Sequence, residues 1–174
     1  MPGQTSQTAG VQTVSTLEDE MKWLAGAVEG STPEVGYRSN YDRYKYQDFD
    51  YEECSIKLRE TREFYEKKKL VSTTVRDITL PLTSLNLTSV RVDKLGVSLY
   101  AVSFTANGQK SWIGSRQKVI YPDGTEEKSY GGATEYGFYF REVSVARRAR
   151  SLLVRGIRFC QSIKTSSSGH GVIH

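Results

Sequence analysis

The strongest pattern of apolar and polar positions lies near the C-terminal end of the chain. Between residues 143 and 163 apolar side chains recur at helical spacing, and they form one side of a predicted helix: Ala146, Ala149, Leu153, Gly156, Ile157 and Cys160, with Leu152 and Ile163 at its edge. Arginines occupy the opposite side: Arg147, Arg148, Arg150, Arg155 and Arg158. Such a helix needs a broad apolar surface to pack on.

A shorter helical pattern begins at Thr16. Threonine caps helix N-termini, and the acidic residues 18–20 stand in the first turn, where the helix dipole favours negative charge. The segment Gly30-Ser31-Thr32-Pro33 ends the pattern. We therefore expect an amphipathic helix that covers a sheet with this apolar stripe: Leu17, Met21, Trp23, Leu24, Ala27 and Val28.

The chain between the two helices alternates as strands do. Seven strands are predicted from Tyr37 to Phe140, the last one interrupted at Gly131-Gly132. Asn107-Gly108 suits a type I′ hairpin between strands 97–105 and 111–121, and a turn at 122–124 continues the meander. Short connections without a crossover helix predict a mainly β (α+β) fold. Its strongly bent antiparallel sheet or barrel is closed by an N-terminal helix and a long C-terminal helix.

One domain is predicted over residues 16–164. Residues 1–15 and 165–174 are rich in small polar residues and have no hydrophobic period, so both are expected to be disordered tails. No apolar run reaches the roughly 18 residues of a membrane helix, and no signal-peptide layout is present. The compartment stays open: cytoplasmic by default, periplasmic or secreted if a signal peptide was removed.

Charge and aromatic residues indicate two candidate partner-binding surfaces. The formal net charge is +4, and seven Lys/Arg residues lie within 141–164 beside the single acid Glu142. The helix arginines could meet an acidic partner or simply form a solvated face. An aromatic strand could stack on a ligand or pack over its neighbours. The candidates are Arg147, Arg148, Arg155, Arg158, Tyr37, Tyr41 and Tyr44.

Cys54 and Cys160 are the only cysteines. Each is predicted to face the core, so one disulfide between the last helix and an early strand is one interpretation. Two buried free thiols in a reducing compartment are the other.

The order of the elements resembles the pleckstrin-homology-like (PH-like) barrel superfamily, over about residues 36–163. Its layout is also similar to small bacterial proteins of unknown function, which place one cysteine in an early strand and another at the end of the last helix. The resemblance implies binding of inositol phospholipids, peptides or proteins. The segment 47–53, at the position of the lipid-binding loop, is acidic and would repel an anionic headgroup. We therefore expect a protein or peptide partner and no inositol phospholipid.

Catalytic motifs are absent from the predicted core. His170 and His174 both fall in the predicted tail, so no Ser-His-Asp or Cys-His set can form there. No phosphate-binding glycine loop or zinc spacing occurs. Acids 48–52 indicate a solvated turn rather than a cation site. We expect no catalytic residue, no metal and no cofactor.

The sequence thus favours a non-enzymatic binding or scaffold module that acts through protein–protein interaction. One alternative is a carrier of a small apolar ligand with a helical lid, which an interior filled by Phe104, Trp112, Val119 and Phe138 would exclude. Another is weak nucleic-acid binding through the helix arginines, although nucleic acid is the less favoured partner. A homo-oligomer also stays open.

Overall fold

The computed structural model describes residues 8–108 and 113–168. Within these residues nine strands lie between two helices in chain order. Two short 3₁₀ turns, Leu82–Ser84 and Leu87–Ser89, connect the fourth strand to the fifth. The elements in chain order are α1 (Thr8–Glu29), β1 (Glu34–Tyr37), β2 (Asn40–Glu52), β3 (Ser55–Glu66), β4 (Lys69–Pro81), β5 (Arg91–Gly96), β6 (Leu99–Thr105), β7 (Ile113–Ile120), β8 (Glu126–Ala133), β9 (Glu135–Phe140) and α2 (Val143–Ser168).

The strands form two antiparallel sheets. One has six strands in the order β1-β2-β3-β4-β7-β8, and the other has three in the order β5-β6-β9. The mainly β antiparallel fold with a helix at each end is confirmed. The sheets are open, so they do not form a closed barrel. Nine strands replace the predicted seven, because the first and last predicted strands each divide into two: β1 with β2, and β8 with β9.

The predicted hairpin at Asn107-Gly108 is wrong. β6 pairs with β5 and β9, whereas β7 pairs with β4 and β8 in the other sheet. Gly108 does have a positive φ of 82°, as a turn requires. However, the Asn107 N–H donates to the Ser84 carbonyl over 2.8 Å, which holds the end of β6 beside the 3₁₀ turns. The Asn-Gly dipeptide favours a local bend of the chain. Tertiary contacts determine which strands β6 pairs with.

The second predicted turn is confirmed and joins β7 to β8. The Tyr121 N–H donates to the Thr125 carbonyl over 3.0 Å, and the Gly124 N–H donates to the Tyr121 carbonyl over 2.9 Å. Gly124 has a φ of 85°, in the left-handed region that glycine enters without steric cost. This regular hairpin sets the position of every residue in β8.

Helix α2 buries the predicted apolar side. Ala146, Ala149, Leu153 and Ile157 have no exposed surface, and Cys160 is only 1% exposed. The helix ends at Ser168 rather than near residue 164, and α1 begins at Thr8 rather than at Thr16. No glycine or proline stands between residues 11 and 16, so the helix continues toward the N-terminus. The rest of the two predicted tails, residues 1–7 and 169–174, lies outside the described residues.

A disulfide joins Cys54 to Cys160, as one of the two interpretations predicted. Cys54 lies in the turn between β2 and β3, with a φ of 61°, rather than in a strand. The acids 48–52 lie within β2 rather than in a loop. The Cα atoms of the two cysteines are 5.7 Å apart. The bond therefore fixes the C-terminal half of α2 to the turn between β2 and β3.

A buried polar contact connects the two sheets inside the core. The Tyr136 hydroxyl on β9 donates to the Glu60 carboxylate on β3 over 2.7 Å. Arg76 on β4 pairs with the same carboxylate over 2.9 Å, and Glu60 is only 2% exposed. Burial raises the pKa of Tyr136 well above its ordinary value, and the nearby Glu60 charge adds to that rise. The hydroxyl therefore stays neutral and keeps its proton for this bond.

Replacing Tyr136 with Phe is expected to lower the free energy of unfolding by about 1.5–3 kcal/mol, because a buried carboxylate loses a donor. Chemical denaturation monitored by circular dichroism measures the change. Tyr139→Phe is the matched control, since Tyr139 is on the same strand and its ring is only partly buried against Tyr44. Equal stability of the two variants would contradict the assigned role of the Tyr136 hydroxyl.

Candidate binding surface

The predicted arginine face of α2 is divided by the neighbouring helix. The Arg148 guanidinium lies over the Trp23 ring of α1, 4.0 Å from its centroid. Arg155 forms an ion pair with Glu20 of α1. Arg147 and Arg158 are exposed, and within the described residues neither forms an ion pair. Two of the four predicted binding arginines therefore help to pack α1 on α2.

The predicted tyrosines do not converge on one surface either. Tyr37 is 88% exposed at the end of β1. The Tyr41 ring stacks on Tyr65, with 4.9 Å between the ring centroids. Tyr44 points to the opposite side of β2, where it is buried against Tyr139. Alternation along β2 separates Tyr41 from Tyr44, because neighbouring odd and even positions face opposite sides of a sheet.

Aromatic rings fill the space between the two sheets. Phe104 and Phe138 have no exposed surface, and their ring centroids are 5.9 Å apart. Tyr46 and Tyr136 pack edge-on against Phe138. Val119, near the end of β7, is only partly buried, and Trp112 lies outside the described residues. This packing of Phe104 and Phe138 weighs against a cavity for an apolar ligand. The other two residues expected to fill the interior, Trp112 and Val119, do not contribute to this evidence.

A different surface collects exposed cations. The outer side of β3, β4, β7 and β8 faces away from the three-stranded sheet, and we call it the basic sheet face. It borders two adjoining open clefts of about 560 and 530 Å³. Its cations and its exposed ring are Lys57, Arg59, Arg116, Lys118, Lys128 and Tyr130.

Alternation along the strands creates this face. Ile78 and Leu80 of β4 point into the core, so Asp77 and Thr79 point outward. Arg116 is the register partner of Asp77, and therefore lies on the outer side as well. A sequence signal accompanies this face: basic residues stand two positions apart at 57 and 59 in β3, and at 116 and 118 in β7. It identifies an outward row within each strand, but it does not show that the strands are neighbours.

Only part of the positive charge on this face is compensated. Lys57 Nζ lies 3.9 Å from Glu52 Oε2, Arg59 Nε donates to Asp77 Oδ1 over 2.8 Å, and Lys118 Nζ lies 2.9 Å from Glu126 Oε1. Arg116 and Lys128, by contrast, form no ion pair within the part of the chain that the structure describes. The basic sheet face thus carries two exposed cations without an acidic partner.

Lys118 and Lys128 stand directly opposite each other across β7 and β8. The Tyr121–Thr125 pair is hydrogen-bonded, and the register from there to Lys118–Lys128 has no shift. Because hydrogen-bonded and non-bonded pairs alternate in an antiparallel ladder, Lys118–Lys128 is a non-bonded pair, the type with the closer side chains. Like charges in this position destabilise a sheet. The Lys118–Glu126 ion pair offsets part of this repulsion, and an anionic ligand at Lys128 would offset more of it.

The surroundings of this pair are open to solvent. Tyr130, the register partner of Arg116, is 79% exposed. Gly114 and Gly132 are the next outward pair, and a Cβ added at Gly114 would meet no atom within 4 Å. A ligand could therefore approach the backbone of β7 beside an exposed ring and two uncompensated cations.

The described residues contain no group of three or more His, Cys, Asp or Glu residues placed to hold a metal ion. Within the same residues no helix is long and apolar enough to cross a membrane. No family model, curated protein or solved structure matches the chain. The PH-like resemblance therefore stays a prediction.

Proposed function

We propose that the chain is a non-enzymatic protein-binding module, and that the basic sheet face binds an acidic segment of its partner. The observation that supports this proposal most is the opposed pair Lys118–Lys128. Its repulsion, and the uncompensated charge of Arg116 and Lys128, favour a ligand with several carboxylates. Contacts between exposed charges contribute about 0.2–1 kcal/mol each, so several must act together.

An acidic protein segment fits this face better than a nucleic acid. Binding of single strands uses several aromatic rings that stack successive bases. Here Tyr130 is the exposed ring beside the cations, whereas Tyr65 lies over on β3 and stacks on Tyr41. Asp77 also lies within the face and would repel a continuous phosphate backbone. Carboxylates spaced along a peptide can contact the cations and avoid this acid.

Fluorescence anisotropy with a labelled octaglutamate peptide tests the proposal. The wild-type protein is expected to bind it, more weakly as salt concentration rises. The double variant Arg116→Glu/Lys128→Glu is expected to bind at least about tenfold more weakly, because two attractions become repulsions. A labelled oligothymidylate of the same length serves as the nucleic-acid probe.

The matched control is Arg147→Glu/Arg158→Glu, which makes the same change of charge at two exposed arginines of α2 that form no ion pair with the described part of the chain. It is expected to bind octaglutamate within about twofold of the wild type. An equal loss in both double variants would show that net charge, rather than the basic sheet face, determines binding. Absence of octaglutamate binding, or tighter binding of oligothymidylate, would overturn the proposal.

A further inference from the structure

Strand β8 forms an open edge of the six-stranded sheet. It is the last strand in the sheet order, and its residues 126–132 are all exposed. Its eight residues pair with β7 without a register shift, and they include no proline. No described strand pairs with its other side. A regular edge of this length offers unpaired backbone groups to another strand.

The hairpin determines which backbone groups of β8 face outward. Because Tyr121 and Thr125 are a hydrogen-bonded pair, alternation directs the backbone groups of residues 127, 129 and 131 toward β7. Those of Glu126, Lys128, Tyr130 and Gly132 then point away from the sheet. The side chains of Glu126, Lys128 and Tyr130 lie on the outer side, which they share with Arg116 and Lys118. The open backbone groups and the basic sheet face therefore meet along one edge.

We propose that the acidic segment binds by adding to the sheet as a strand beside β8. This inference rests on the proposed function, and it specifies the conformation and the pattern of the partner segment. Backbone bonds to β8 hold such a segment extended, and alternate side chains provide the specificity. Alternate side chains of the segment lie on one side, so carboxylates beside Lys128, Tyr130 and Gly132 fit the face. A carboxylate beside Glu126 does not.

Charge favours this partner over a second copy of the chain. Two antiparallel β8 strands paired over residues 126–132 would place Tyr130 of one copy opposite Lys128 of the other, and Gly132 opposite Glu126. That arrangement supplies no carboxylate to Lys128. An edge lysine opposes such self-pairing, and it leaves the edge open to an acidic strand.

Amide hydrogen exchange followed by NMR tests strand addition, with the capped peptide Val-Asp-Val-Asp-Val-Asp-Val as the probe. On peptide addition, exchange of the Lys128 and Tyr130 amides is expected to slow by at least about tenfold, because their N–H groups gain partners. The Glu127 and Ser129 amides, already directed to β7, are expected to change far less. Peptide binding without this alternation would overturn strand addition and leave the proposed function intact.

A pair of variants provides a second readout. Tyr130→Pro removes the outward N–H and the ring, whereas Tyr130→Ala removes only the ring. Proline is tolerated at an edge where the N–H points outward, and circular dichroism checks that both variants fold. The proline variant is expected to bind the peptide at least about tenfold more weakly than the alanine variant. Equal affinities, or protection of Lys128 that appears at high protein concentration without peptide, would contradict the proposal.

Discussion

Replacing Leu153 with Asp is expected to unfold the protein. Leu153 has no exposed surface and lies in the middle of the buried side of α2. The substitution removes a leucine from the core, at a cost of about 2–5 kcal/mol, and places a carboxylate where water cannot reach it. Together these effects approach the whole stability of a typical domain, about 5–15 kcal/mol.

Far-UV circular dichroism and urea denaturation measure this effect. The matched control is Ser151→Asp, which puts the same residue type at an exposed position of the same helix. It is expected to change the free energy of unfolding by less than about 0.5 kcal/mol. If Leu153→Asp unfolded cooperatively with nearly wild-type stability, α2 would not be the structural cover of the core.

Removing the disulfide is expected to produce the second large effect. Cys54 and Cys160 are separated by 106 positions. In the chain-entropy model a crosslink that closes a loop of about a hundred residues contributes about 4.7 kcal/mol, because it restricts the unfolded chain. The double variant Cys54→Ser/Cys160→Ser should therefore lose a large part of the stability of the oxidised protein.

Guanidinium denaturation with and without dithiothreitol measures this contribution. The reductant is expected to destabilise the wild-type protein and to leave the double serine variant unchanged. This control separates loss of the crosslink from other effects of the reductant. A double variant as stable as the oxidised wild type would show that packing alone fixes α2 to the turn between β2 and β3.

Both stability predictions concern the buried core and the helix α2 that covers it. The binding proposals concern the part of the six-stranded sheet that extends beyond this core. Ile78 and Leu80 of β4 lie in the core, but β8 is exposed over residues 126–132. Variants at Arg116, Lys128 and Tyr130 should therefore change binding with little effect on folding. A loss of binding in them can be assigned to the surface itself.

The sequence predicted the elements whose pattern repeats within a few residues. Helical spacing identified the buried side of α2, and the stripe of α1 that begins at Leu17 is buried as expected at Met21 and Leu24. Tyr121 to Thr125 formed the predicted turn. These features depend on contacts between residues that are close in sequence, so a local pattern contains the information that determines them.

Strand pairing decided the location of the candidate surface. Lys57 and Arg59 lie far in sequence from Arg116, Lys118 and Lys128. They share a face only because β7 pairs with β4 rather than with β6. The sequence pattern led instead to the α2 arginines, and the structure shows that Arg148 and Arg155 contact α1. Alternation reveals which side of a strand is polar, and it does not identify the neighbouring strand.

The chain by itself thus determined an antiparallel β fold with a helix at each end, and a C-terminal helix with one buried side. Only the tertiary structure divided the strands between two sheets, placed Lys118 opposite Lys128 and left the edge of β8 open. The physical reason is that hydrophobic period and turn chemistry act over short distances, whereas strand partners are selected by the burial of the whole core.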